Sequence, residues 1–386
     1  MRLHRISIAA LSLAFLASCS VSNEPVPEAL LKENTFFTSY QETPKYLDST
    51  SSYSNNETPW TYAVYEPPLK YHYLKRPYEL IPRTLTQMPE VTYLDKAGKK
   101  LPATAPSDKI AQTVFKLSVQ PGILYQPHPA FAKDAQGKLL YHALTEDDLK
   151  DKRTPYDFAQ KGTRELTAYD YAYAIKRLAT PRVKSPAFGF LSEKIVGLAD
   201  YGKKIKAFNE SLKTGKSARE IGPFGHLPWI DFREHEMPGV EVLDDHTLQI
   251  RVIGKYPQFK YWLAMTFFAP IAWEVDAFYS QPGMVRKNLI ANTWPVGTGP
   301  YMLTEFVPNA RMVLEKNPNY RGGVYPCEGE PTDKDAGYLD DCGKRTPFID
   351  KAVSIIEKEG TSVVTKFIQG YYDNPQIERG EPGIAY

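Results

Sequence analysis

Histidine, cysteine and net charge are what this chain has least of. Seven histidines are scattered through 386 residues. No H-E-x-x-H, G-x-S-x-G, phosphate-loop or dinucleotide-binding pattern accompanies them, so the common hydrolytic and nucleotide-dependent chemistries lack their residues. His235 falls four positions after Asp231, but Pro228 and Pro238 leave little room for the helix that would bring the two together. Lys and Arg number 47 against 45 Asp and Glu, a balance that argues against a nucleic-acid binder or an electrostatic membrane patch. Beyond the N-terminus no apolar run approaches the roughly 18 residues needed to cross a bilayer. There is no internal repeat and no low-complexity tract.

What is present begins with a leader. Arg2, His4 and Arg5 precede a mostly apolar run from Ile6 to Phe15, which reads as a secretory signal, too short to span a membrane and no part of the fold. Leu16-Ala17-Ser18-Cys19 resembles the bacterial lipobox, where the cysteine sulfur is lipidated and the chain is cut before it. The expectation is a signal peptide over 1–18, lipidation at Cys19 and a tether over 19–42. Each acyl methylene buried contributes roughly 0.8 kcal/mol, so such an anchor lasts. Loss of Arg2 and Arg5 leaves the mature chain neutral. The two remaining cysteines, Cys327 and Cys342, form an even pair in an oxidising compartment and read as a disulfide, worth about 3 kcal/mol in the chain-entropy picture. The loop they enclose is acidic, yet a calcium loop begun at Asp333 would place Lys344 where a bidentate Glu is needed; a solvated acidic loop is expected.

Local patterns predict a short helix within 57–69, stopped by Pro67-Pro68, and a strand over 113–119, stopped by Pro121-Gly122. A capping box at Thr167 and Asp170 opens a helix running to Leu178, with Tyr171, Ala174, Ile175 and Leu178 on one face. Hairpins are predicted for 240–243 with 247–253 and for 301–307 with 311–316, then a strand over 352–357 and a helix over 361–369. Strands and helices mix without regular alternation, which disfavours a plain doubly wound sheet.

Four stretches resemble the family 5 extracellular solute-binding proteins, the oligopeptide- and dipeptide-binding lineage of ABC importers. They are Leu47-Asp48 with Val64-Tyr65-Glu66-Pro67-Pro68-Leu69; Leu166-Thr167-Ala168-Tyr169-Asp170 through Lys176-Arg177-Leu178-Ala179; Val242-Leu243-Asp244-Asp245-His246-Thr247-Leu248; and Pro295-Val296-Gly297-Thr298-Gly299-Pro300-Tyr301, closing with Leu314-Glu315-Lys316-Asn317-Pro318-Asn319-Tyr320. Gly297 and Gly299 are expected to supply backbone conformations that other residues resist, and Pro300 to set the exit into a strand.

The resemblance implies a mixed α/β, class II periplasmic-binding-type fold of two lobes with a ligand cleft between them. The first lobe would comprise 43–70 and 238–302, with an inserted subdomain over 71–237. The second lobe would start at 303 and be incomplete, since members are usually longer; with one cleft wall missing, weak ligand binding is expected. Cleft residues implied by the matching positions are Tyr53, Asn55, Asn56, Glu57, Phe267, Phe268 and Tyr301. The implied function is capture of a peptide or similar small solute and its delivery to an ABC permease complex. The protein would be a monomer in the bacterial periplasm, held to the membrane by its lipid alone, with no enzymatic activity, cofactor, metal or nucleic acid. A lipid-anchored peptide sensor or chaperone-like holder would carry the same motifs.

Overall fold

A computed structural model describes residues 33–222 and 226–374; the signal segment, Cys19 and most of the expected tether lie outside them. The chain opens with β1 (Thr35–Tyr40) and α1 (Thr58–Val64), which has Pro59 in its first turn and ends just before Pro67-Pro68. A short hairpin, β2 (Leu69–Tyr71) and β3 (Leu80–Pro82), leads to β4 (Glu90–Leu94), β5 (Lys100–Leu101) and β6 (Gln112–Ser118). Four helices follow: α2 (Ala168–Arg177), α3 (Phe188–Ser192), α4 (Leu198–Ser211) and α5 (Ala218–Ile221). Next come the hairpin β7 (Val240–Asp244) and β8 (Thr247–Ile253), then α6 (Phe259–Trp262) and α7 (Trp273–Tyr279). The last part holds β9 (Tyr301–Val307), β10 (Arg311–Lys316), β11 (Gly323–Val324), α8 (Pro331–Asp335), β12 (Arg345–Thr346), β13 (Lys351–Ile356) and α9 (Gly360–Ile368).

Two sheets organise these elements. The larger runs β5-β4-β6-β8-β7, antiparallel throughout. Its strand β6 turns Phe115 and Leu117 inward, and the core beneath it gathers Tyr171 and Ile175 of α2 with Leu248, Ile250, Phe259 and Phe278. Helix α2 starts where the capping box placed it: the Thr167 N–H donates to the Asp170 carboxylate at 3.0 Å. The predicted face is buried, and so are Ala168, Tyr173 and Arg177, so the helix is enclosed on more than that one side. The second sheet runs β1-β13-β10-β9, with β1 parallel to β13. It covers a smaller core of Tyr40, Leu47, Trp60, Val64, Leu303, Met312 and Leu314.

Contacts cross the expected domain bounds in three places. Residues 35–40, inside the expected tether, pair with Lys351–Ile356 across six positions, satisfying their main chain at the far end of the sequence where no local pattern shows it. Leu303, Met312 and Leu314, beyond the expected boundary at 303, close one core with Tyr40, Leu47, Trp60 and Val64. The boundary between 237 and 238 is crossed by the larger sheet, where β6 pairs with β8 over seven positions. Cys327 and Cys342 are joined, their Cα atoms 4.6 Å apart. The acidic loop they close leans on the β2–β3 hairpin through an ion pair from Lys75 to Glu328 at 2.6 Å.

Glycines in the turn before β9 also have a different cause from the one expected. Neither Gly297 nor Gly299 lies in the left-handed region. A Cβ at Gly297 would stand 2.1 Å from the Val64 carbonyl oxygen, and one at Gly299 would stand 2.5 Å from the same atom. Main chain presses on main chain there, and the Gly299 N–H donates to Val64 O at 2.9 Å.

Candidate functional site

A cleft of about 670 Å³ opens between the loop 48–57 and the turn 182–186, with Lys45, Tyr46, Tyr53, Asn56, Arg182 and Lys184 on its walls. The loop is held from beneath by two buried carboxylates. Asp48 receives Nη1 and Nη2 of Arg177 at 2.8 and 2.7 Å and the Thr50 N–H at 2.9 Å. Burial pushes the Asp48 carboxyl up, but the Arg177 charge and these hydrogen bonds bring it below the usual carboxylate range. Glu57, 2% exposed, accepts the N–H groups of Tyr46, Tyr53 and Ser54 at 2.9, 3.1 and 3.2 Å and the Ser52 hydroxyl at 3.0 Å. Asn292 adds its side-chain oxygen to the Ser51 hydroxyl at 3.1 Å. The loop's shape is therefore set before any ligand arrives, which reduces the ordering cost of binding.

Of the expected cleft residues, Tyr53 and Asn56 stand on the wall and Asn55 lies exposed on the same loop. The Tyr53 ring is 69% exposed and stacks on Phe267, centroids 5.9 Å apart. Phe267 itself is buried and supports that ring from behind. Glu57 reaches the cleft wall, but its carboxylate faces the loop's own amides. Phe268 is a core residue, edge-on to Phe259 at 5.4 Å. Tyr301 begins β9 and gives its hydroxyl proton to the Ile349 carbonyl at 2.9 Å; it is not on the cleft wall. Residues not anticipated include Lys45, Tyr46, Arg182, Lys184 and Asn292. Pro181 marked a turn after α2, but only the folded chain shows that the turn comes back to residue 53. Asp231 and His235 do not pair: Asp231 takes the Arg233 guanidinium, and the His235 ring lies against Phe208.

The four recurring stretches meet one another in space. Asp48 of the first is bound by Arg177 of the second. The Ala168 N–H of the second donates to the Asp245 carbonyl of the third at 2.7 Å. Glu66 of the first accepts the Thr298 hydroxyl of the fourth at 3.0 Å and the Arg321 guanidinium just beyond it at 2.6 Å. Asn317 returns from the end of β10 to the Gly299 carbonyl at 2.9 Å. These motifs are the joints between elements, which is why their order and spacing identify the fold.

Comparison with known proteins agrees. Residues 161–378 match the model of the bacterial extracellular solute-binding proteins, family 5 middle region. The periplasmic oligopeptide-binding protein OppA of Salmonella typhimurium is 26% identical over 155 residues, 40% of this chain and 23% of that protein. Among solved structures, OppA of Burkholderia pseudomallei is similar with a TM-score of 0.51 at 13% identity, covering 90% of this chain and 47% of the other. An oligopeptide-binding protein from Borrelia burgdorferi gives 0.51 at 14% identity, covering 88% and 46%. The chain thus spans less than half the length of these structures. With the match extending over more than half of its residues, the chain belongs to the family 5 bacterial extracellular solute-binding proteins and carries their mixed α/β binding-protein fold.

Proposed function

We propose that this protein captures peptides, or similar small solutes, in the cleft between 48–57 and 182–186 and delivers them to an ABC import permease. It does so from the cell envelope, held by a lipid on Cys19, and acts by binding rather than by catalysis. The observation that carries this reading is the pre-set loop: Asp48 and Glu57 fix its main chain while the Tyr53 ring is left open to solvent above Phe267. An exposed aromatic on a rigid support offers contact area at little entropic cost. The relatives that carry the name oligopeptide-binding protein give the solute class.

The test is direct. Purified protein is incubated with a mixed pool of short peptides, recovered, and its retained peptides identified by mass spectrometry. Peptides retained by the protein and lost with Tyr53→Ala support capture at this cleft; no retention at all rejects it. In cells, a fatty-acid label on the protein that disappears with Cys19→Ser tests the anchor.

A further inference from the structure

The β2–β3 hairpin and helix α6 carry a second pocket, which shares no residue with the cleft between 48–57 and 182–186. Its volume is about 680 Å³, within the size range of small-ligand sites. Tyr71, His72, Tyr73, Arg76, Tyr78 and Tyr261 line it. The four tyrosines are between 43% and 67% exposed, and none of their hydroxyls has a hydrogen-bond partner among the described residues. Single exposed aromatics are ordinary; four around one concavity are not.

The pocket's walls are braced. The Tyr71 and Tyr78 rings meet nearly at right angles, at 72° with centroids 6.0 Å apart, and form a corner. Tyr73 rests edge-on to Tyr325 at 5.8 Å, just before the loop that the Cys327–Cys342 bridge closes. Lys75 joins the hairpin to that loop through Glu328 at 2.6 Å and also meets Glu79 at 3.3 Å. Nδ1 of His72 accepts the N–H groups of Leu74 and Lys75 at 3.3 and 3.2 Å. Nε2 therefore carries the ring proton, a donor with no partner among the described residues. The Arg76 guanidinium lies 4.6 Å from the centre of the Tyr78 ring, and its Nη1 donates to the Tyr73 and Lys75 carbonyls at 3.4 and 3.0 Å.

These groups discriminate between kinds of ligand. Arg76 on Tyr78 and Lys260, 5.2 Å over the Tyr261 ring, already supply cations to two of the rings. No carboxylate lines the pocket among the described residues, so a cationic ligand is disfavoured. A purely apolar ligand would strip water from the tyrosine hydroxyls and from Nε2 of His72 and return no hydrogen bond. We infer that this pocket binds a saccharide, a pyranose ring lying against a tyrosine face with its hydroxyls bonded to the phenols and to His72. The C–H bonds on the face of a sugar ring carry slight positive charge and meet the negative face of the aromatic ring. Sugar hydroxyls both donate and accept, as the phenol hydroxyls around them do. The site is additional to the peptide cleft and does not depend on it.

The experiment is an NMR titration of the intact protein, which registers millimolar as well as tighter affinities. The probes are three trisaccharides, maltotriose, cellotriose and triacetylchitotriose, with tetraproline as a peptide of similar size. At least one trisaccharide is expected to bind and to shift resonances of the hairpin. Tyr78→Ala and Tyr73→Ala should each weaken that binding about fivefold, the loss of one ring contact, while peptide retention stays unchanged. Both side chains are well exposed, so neither variant threatens the fold, and each checks the other. Absence of binding by all three trisaccharides overturns the inference, as does sugar binding that survives both substitutions. Sugar binding lost with Tyr53→Ala instead would place the sugar in the cleft, and tetraproline bound where no sugar binds would make the pocket a peptide-docking surface; either result also overturns it. None of these outcomes bears on peptide capture between 48–57 and 182–186.

Discussion

Arg177 and Asp48 meet as fork and carboxylate, Nη1 and Nη2 lying 2.8 and 2.7 Å from the two oxygens, with both side chains almost wholly out of solvent. The pair ties α2 to the cleft loop across 129 residues of sequence. Nε of the same guanidinium holds Asp276 at 2.8 Å. Removing the arginine would strand two carboxylates at once. Arg177→Met is therefore expected to destabilise the protein by about 3–5 kcal/mol. Arg177→Lys keeps the charge and loses the two-point geometry, so its loss should be smaller. Urea unfolding followed by far-UV circular dichroism measures both; a methionine variant within about 1 kcal/mol of the parent would show that burial of the pair cancels its attraction.

Close approach at Gly299 leads to a contrast between two glycines. A Cβ there would meet Val64 O at 2.5 Å and Ala63 O at 2.7 Å, both main-chain atoms that cannot swing aside. Gly299→Ala is expected to cost about 1–3 kcal/mol by overpacking, or to abolish folding. Gly98 instead sits at φ 78° with nothing within 4 Å. There Asn, which tolerates the left-handed region, should replace it with a loss of less than about 1 kcal/mol. Thermal melts of the two variants check this. Equal losses would place the requirement at Gly299 in backbone conformation rather than space.

These joints also explain what the sequence could and could not disclose. The capping box at Thr167 and Asp170 and the two hairpins are local, each written in fewer than about 20 residues, and they form where their patterns put them. Strand β1 lacked a readable period because its partner β13 lies near the other end of the chain; a parallel pair needs a long connection and leaves no turn signal. Leu303 and Met312 were assigned across a boundary for the same reason, since the core they share with Trp60 forms only on folding. At the cleft, Tyr53 and Asn56 came from motif position. Arg182 and Lys184 face them only through the path of the turn after α2. The reversal of Glu57 toward its own loop is a matter of side-chain geometry that residue type cannot convey.

His128 sets a pH dependence. Its Nδ1 accepts the Ala130 N–H at 3.2 Å, so Nε2 carries the proton and donates to the Tyr279 hydroxyl at 3.0 Å. That hydroxyl donates in turn to the Trp294 carbonyl at 2.7 Å. Burial, with His142 nearby, holds the His128 pKa down to about 3, whereas in the unfolded chain it titrates near 6.5. Below about pH 6.5 the unfolded state binds a proton that the folded state refuses. This residue's contribution is thus complete above that pH and declines as pH falls towards 3, by up to about 1.4 kcal/mol per pH unit. His128→Asn keeps an acceptor for Ala130 and cannot titrate. Urea midpoints between pH 7 and 4.5 should fall more steeply for the parent than for the variant; parallel slopes would mean that His128 protonates within the fold.

Tyr53 and Glu57 are neighbours on one loop with opposite duties, and separating them tests the cleft assignment. Glu57 stabilises: four donors converge on its carboxylate from Tyr46, Ser52, Tyr53 and Ser54. Glu57→Ala leaves buried donors unpaired and should cost about 1–3 kcal/mol, lowering peptide affinity as well because the loop loses its shape. Tyr53 has little to stabilise, its ring being 69% exposed. Tyr53→Ala should change stability by less than about 0.5 kcal/mol while weakening peptide binding severalfold, since the ring is contact surface. Paired measurements of urea midpoint and peptide affinity on both variants resolve the two roles. If Tyr53→Ala leaves affinity intact while Glu57→Ala lowers it, the loop's main chain alone receives the ligand. If neither variant changes affinity, capture takes place on another face of the molecule.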